Sequence, residues 1–269
     1  MATTSWTARH YIERFLPLAP PDAATVDGFL VGSPDTVVTG VATCFSASQD
    51  ALMQAEASGA NLIIAHEGMY YSHRGDVPAL EADPVFAAKR AWLERSKHVV
   101  YRNHDGLHRH RPDLVTEGLL EALGWQPYVE ERLPAASVVR LPAPGLRLRE
   151  VIMMLKRKLD LPYVRVVGEI SARCERVGVA VGYRGGGAVA VPLLGKYNVD
   201  VVVAGEGPEW ETPEYVRDAL QQGRKRAFVL IGHEASEEPG MRRLADRLAA
   251  VCPEVPARFV RDRRAIFIF

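Results

Sequence analysis

Short apolar, β-branched runs alternate along this chain with segments whose apolar positions recur at helical spacing. Residues 36–45 (TVVTGVATCF) predict a strand, and 48–58 (SQDALMQAEAS) a helix with Ser46 or Ser48 as its N-cap. Residues 61–65 (NLIIA) predict a short, fully apolar strand. Next comes a helix over 83–95, with Asp83 as cap and Pro84 in the first helical position. Residues 98–103 (HVVYRN) predict a strand, and 112–123 a helix closed by Gly124. Strands and helices in strict alternation predict an α/β fold with mostly parallel sheets and helices on both faces.

The middle breaks that rhythm. Residues 127–144 are rich in proline, and their strand-like pieces YVEERL and ASVVRL have no helix between them. An amphipathic helix over 146–159 leads to a strand at 163–168. Strands at 176–182, 199–205 and 227–232 then alternate with helices at 212–222 (Thr212 as cap, Pro213 first) and 236–251 (Ser236 as cap), and 257–269 closes in strand. A boundary near residue 125 divides the chain into lobes 1–125 and 126–269. No Gly/Ser linker marks it, so packed lobes are expected rather than beads on a string.

Composition narrows the class. The chain has 269 residues, 48% hydrophobic and 25% charged, which supports one large α/β body or two lobes and excludes a disordered chain. Lysine and arginine balance aspartate and glutamate at 33 each, so no global charge favours nucleic acid. No apolar run approaches the roughly 20 residues of a membrane span, and the first residues lack a signal-peptide pattern. Cys44, Cys174 and Cys252 lie far apart with no CxxC pair. That fits a reducing compartment, and the expected location is the cytoplasm.

The chemistry lies at the strand ends. NLIIA runs into His66-Glu67-Gly68, HVVYRN into His104-Asp105-Gly106-Leu107-His108, AFVLIG into His233-Glu234-Ala235-Ser236-Glu237, and VDVVVAG into Glu206. Ligands in open α/β sheets sit beyond the carboxyl ends of parallel strands. Imidazole and carboxylate together are the donor set of Zn, Mn, Fe, Co or Ni sites. His104, Asp105 and Glu206 are the groups able to move protons there. A single histidine after a strand is ordinary structure, but three strands ending this way point to a divalent metal site. His73, His98 and His110 read as surface or structural residues, and Gly185-Gly186-Gly187 as a flexible loop, since it lacks phosphate-loop spacing.

At these residues the chain resembles the Nif-three-like family, whose bacterial members are often labelled GTP cyclohydrolase type two. Asp27-Gly28-Phe29-Leu30-Val31-Gly32 looks like a shortened form of the family's DN-x-GL-x-VG opening. Residues 61–67 resemble the strand that ends in a His-His pair, and 104–108 align with H-T-N-x-D. Residues 232–240 (GHEASEEPG) look closely like G-H-x-x-[ST]-E-x-P-G. The resemblance implies two intertwined three-layer α/β/α lobes, a two-metal centre between them and a toroidal homo-hexamer. It carries over His66, His233 and Glu237 directly as metal ligands. Glu67 stands where the family has its second His, and His108 where it has Asp. The metal set is then His66, Glu67, His108, His233 and Glu237, holding one or two ions per chain. Either Glu67 takes over a bridging role or the site holds a single metal.

Such a centre implies a metal-dependent hydrolase acting on an unidentified small molecule, with a nucleotide as one candidate. The alternative is a non-catalytic metal-binding assembly: a metallochaperone, regulator or scaffold. An unrelated phosphoesterase with convergent strand-end ligands and a purely structural α/β domain are the remaining readings.

Overall fold

A computed structural model describes residues 5–21, 23–75 and 77–268. The fold is α/β, as the alternation predicts, and the chain divides into two compact units. One contains the chain through His110 together with Met241–Phe267, and the other contains Arg111–Gly240. The division thus falls before the helix Leu114–Leu123 rather than near residue 125, after it. That helix belongs with the second unit because Gly118 lets it approach Gly240 so closely that a Cβ would overlap the Gly240 backbone.

The first unit is built on a five-stranded sheet in the spatial order Gly28–Val31, Val99–Arg102, Leu62–Ala65, Val41–Cys44, Ala257–Phe259. Its last four strands run parallel, and the Gly28–Val31 edge pairs antiparallel. The three inner strands are buried at every position, as expected of a sheet covered on both faces. In register, Cys44 lies opposite Ala65 and Ala65 opposite Arg102. The chain therefore leaves these three strands level with one another, at Phe45, His66 and Asn103. The closing strand is shorter than expected: pairing with Val41–Cys44 ends at Phe259, and residues 260–268 form no strand. Residue 269 lies outside the described residues.

The second unit holds a six-stranded sheet in the order Val129–Arg132, Ser137–Arg140, Arg176–Ala180, Val201–Ala204, Ala227–Leu230, Arg165–Val167. Its centre is a parallel trio in which Ala180, Ala204 and Leu230 stand level. The flanks pair antiparallel, which accounts for the helix-free stretch YVEERL–ASVVRL. A helix at Gly187–Gly195 is not legible in the sequence because its composition, AVAVPLL between glycines, carries no helical amphipathicity. The glycines before it are no slack loop, because Gly187 N donates to Glu211 Oε2 and Gly185 N to the Glu206 carbonyl. The helix expected from Ser236 begins three residues earlier, at His233, directly after Gly232 at φ +99°. Ser236 is not a cap there; its buried hydroxyl accepts from Gly182 N (2.8 Å) and donates to the His233 carbonyl (2.7 Å).

No helix among the described residues is long and apolar enough to cross a membrane. All three thiols are buried, and none forms a disulfide.

One buried charge ties the strand-end loops of the first unit together. Lys89 Nζ donates to the carbonyls of Ala47 (2.6 Å) and Met69 (2.7 Å), joining the loop after Val41–Cys44 to the loop after Leu62–Ala65. Burial pushes its ammonium down to about 8 from 10.5. Between those values the unfolded chain holds more protons than the folded one, so this group's contribution to stability grows as pH rises. We expect the stability lost in Lys89→Met, read by urea unfolding, to be greater at about pH 10 than at about pH 7. An unchanged or smaller loss at the higher pH would contradict this environment for Lys89.

Candidate metal centre

The first unit gathers the histidines that leave its strands. His66 comes directly after Leu62–Ala65 and is fully buried. Its Nδ1 stands 3.3 Å from the Asn103 carbonyl, so the tautomer protonated at Nδ1 presents the Nε2 lone pair. His104 stands just before the short helix Asp105–Arg109 and His108 in its last turn, four residues on, a spacing that puts both on one face. The His66 and His104 rings stack with centroids 4.6 Å apart, and His108 meets them edge-on at 5.0 and 4.8 Å. Donor nitrogens of the three rings all lie within 4.8 Å of one another.

Asp27 holds that helix in place. Its Oδ1 accepts from the backbone N–H of His104 (2.7 Å) and Asp105 (2.8 Å), and its Oδ2 from Gly106 N (2.8 Å). A carboxylate 77 residues upstream of His104 thus serves as the helix cap. Gly106 is required because a Cβ there would overlap the Pro17 carbonyl. Asp105 is engaged on both oxygens: Oδ1 with His104 Nδ1 (2.9 Å), Oδ2 with Val26 N (3.2 Å). Burial raises its carboxyl, but the hydrogen bonds from His104, Val26 and Thr25 outweigh it and hold it below the usual range. This geometry is that of a carboxylate orienting a metal-binding imidazole. Burial, then the neighbouring His66 and His108, push His104 down to about 4, so its ring is neutral near pH 7.

A second group shares His104. Glu67 Oε1 stands 3.6 Å from His104 Nε2, while Oε2 accepts from Arg102 Nη2 (2.7 Å) and lies 3.2 Å from His73 Nδ1. The buried Arg102 also donates to the backbone carbonyls of His66 and His73. His73 reads from sequence as surface, and its side chain is half exposed, yet it joins this cluster because residues 66–73 fold back over Arg102. Arg102 itself escapes the sequence reading. Its signal is a lone cation inside an otherwise apolar strand, VVYR, buried at every position.

In the second unit His233 opens the helix His233–Val251. Its Nδ1 lies 2.8 Å from Glu206 Oε1 and its Nε2 3.1 Å from Glu237 Oε2. Gly182, at φ +61°, passes so close that a Cβ would overlap the Glu237 carboxylate. Burial lowers the proton affinity of His233, but the two carboxylates together overcome it and raise the ring to about 9. His66, Glu67, His104, Asp105 and His108 thus stand together in one unit, and His233, Glu237 and Glu206 in the other.

Comparison with known proteins agrees with this architecture. The family model for Duf34/NIF3 (NGG1p interacting factor 3) matches residues 7–264. A Bacillus cereus protein related to NIF3 superposes with a TM-score of 0.78 at 16% identity, covering 99% of this chain and 100% of that one. The hypothetical protein SA1388 of Staphylococcus aureus gives 0.74 at 18%, over 99% and 100%. Reduced HcgD from Methanocaldococcus jannaschii gives 0.69 at 17%, over 96% and 98%. At such identities the likeness shows the fold alone. No curated protein matches the chain.

The two protonation states have opposite consequences for the metal-free protein. His104 falls from 6.5 to about 4 on folding, so its contribution is complete above 6.5 and is lost as pH drops toward 4. His233 rises from 6.5 to about 9, so its contribution is complete below 6.5 and is lost as pH climbs through 9. NMR of the chelator-treated protein should show one imidazole titrating near each value. In Glu206→Gln the upper midpoint should fall while the lower stays put. A His233 midpoint near 6.5 in the unaltered chain would refute the paired-carboxylate account.

Proposed function

The chain belongs to the Duf34/NIF3 family, and from that premise we propose that it binds a divalent metal and hydrolyses a small molecule, with nucleotides the first class to test. The carrying observation is the trio His66, His104 and His108, whose donor nitrogens lie within 4.8 Å of one another. Two of them, His66 and His104, are held by a carbonyl and a carboxylate at Nδ1, and imidazoles so oriented are the donors that a Zn, Mn, Fe, Co or Ni ion selects. His233 and Glu237 are kept as metal donors on the strength of their motif.

When bound, such an ion supplies Lewis acidity and acidifies water. The chain's residues do the rest. The Asn103 carbonyl fixes the His66 ring, and Asp105 fixes His104. We assign Asp105 to orienting His104 and move His104 from proton transfer, its sequence-based role, to metal ligation. Glu206, more exposed than Asp105 and bonded to His233 Nδ1, is the proton carrier we favour in its unit. A homo-hexamer enters this reading through the family resemblance.

We expect purified, tag-free protein to carry metal by elemental mass spectrometry, to run as a hexamer in mass-resolved size exclusion, and to turn over a nucleotide or phosphoester. His66→Ala and His108→Ala should lose both metal and turnover. Metal without turnover above the His66→Ala background would sink the hydrolase reading and leave a metal-binding assembly.

A further inference from the structure

Glu67 stands where the family pattern puts a metal-binding histidine, and its surroundings in this chain are those of an ion pair. Its Oε2 accepts from Arg102 Nη2 at 2.7 Å and lies 3.3 Å from Gly68 N. The guanidinium cannot turn away, because Nε and Nη1 are committed to the carbonyls of His66 and His73. It is 3% exposed and always charged. A carboxylate that bridges two ions uses both oxygens, and here one is taken by a fixed cation. A dication drawn to the Glu67–His73 corner would also sit beside that cation, since His73 Nδ1 is only 3.1 Å from Arg102 Nη2. The His66 and His104 rings are instead oriented by a carbonyl and a carboxylate, respectively.

We infer that Glu67 is the counter-ion of Arg102 and not a metal donor, and that His66, His104 and His108 alone supply the first unit's donors, to a single ion. This rests on the metal-binding reading above. Glu67 is then a positioning residue: it holds Arg102, which holds the backbone of the His66 loop. The His108 found where the family has Asp completes an all-imidazole set, so the two departures from the pattern belong together.

The test is metal affinity by competition with a chromophoric chelator, on full-length protein whose fold is checked by circular dichroism. Glu67→Gln keeps a hydrogen-bond acceptor for Arg102, and Glu67→Leu removes every metal donor atom from that side chain. Loss of a group that only supports a ligand costs about 10–100-fold, and loss of a ligand costs more. We expect Glu67→Gln to change affinity by less than about tenfold, with the metal count per chain unchanged, and His104→Ala and His108→Ala to lose more than about a hundredfold. Glu67→Gln should lower the melting temperature of the metal-free protein, which a pure ligand role would not require. In the cobalt-loaded protein, the paramagnetically shifted ring N–H signals of His66, His104 and His108 should persist in both Glu67 variants. Affinity lost in Glu67→Gln as deeply as in His108→Ala, or a metal count that falls with it, overturns the inference while leaving metal binding intact. Absence of metal from the unaltered protein after reconstitution overturns the metal-binding reading itself.

Discussion

The first unit's cluster depends on the register of three parallel strands. Cys44, Ala65 and Arg102 lie abreast, and the ladder continues one step beyond them through His66 N to the Cys44 carbonyl and Asn103 N to the Ala65 carbonyl. His66 and Asn103 are therefore fixed by the sheet's own hydrogen bonds. A one-residue slip would send His66 to the opposite face. The segment after Asn103 needs a separate anchor, since the helix Asp105–Arg109 is too short to be stable alone. Asp27 provides it, at the start of the antiparallel edge strand. The sheet places one imidazole and the edge strand places two.

The same residue types reach opposite protonation states in the two units. His104 meets two other imidazoles and has one hydrogen-bonded carboxylate, Asp105 at Nδ1, with Glu67 farther off at 3.6 Å from Nε2, so burial and the imidazoles prevail and the ring stays neutral. His233 has a carboxylate at each nitrogen, and together these outweigh a burial of similar depth. A neutral ring accepts a metal directly, whereas an imidazolium must first release its proton. Asp105 and Glu206 form similar hydrogen bonds to Nδ1, so the difference lies in the imidazoles beside His104 and in the longer carboxylate distance at its Nε2 (3.6 Å, against 3.1 Å at His233).

Much of this is legible in the sequence. The alternation of NLIIA and HVVYRN with capped helices identifies the parallel strands, and the polar residues just beyond them identify His66, His104, His108 and His233. Harder to read is anything set by contacts far along the chain. Asp27 caps a helix 77 residues away, and no local pattern announces that. His73 looks like a loop residue until the loop folds back over Arg102. Ser236 has an N-cap's sequence context, yet Gly232 starts the helix earlier and leaves Ser236 to bond a neighbouring strand end. The return of Met241–Phe267 to the first unit is likewise hidden, because the strand Ala257–Phe259 finds its partner across more than half the chain.

The two departures from the family pattern can be weighed as charge. Glutamate in place of histidine at position 67 adds a negative charge, and the buried Arg102 offsets it. Such a pair costs desolvation to form but about 3–5 kcal/mol to break by removing one partner, so once present it is retained. Histidine in place of aspartate at position 108 removes a negative charge from the donors. Under the ligation proposed above, three uncharged nitrogens of the first unit face the ion, and that unit's anionic oxygens stay with their supports, Asp105 behind His104 and Glu67 against Arg102. Neutral donors leave an ion's full charge to act on whatever group arrives as its next ligand. A carboxylate-rich set would instead spend part of that charge on its own oxygens. On the proposed ligation, the exchange at positions 67 and 108 would make the centre more electrophilic than the pattern this chain resembles.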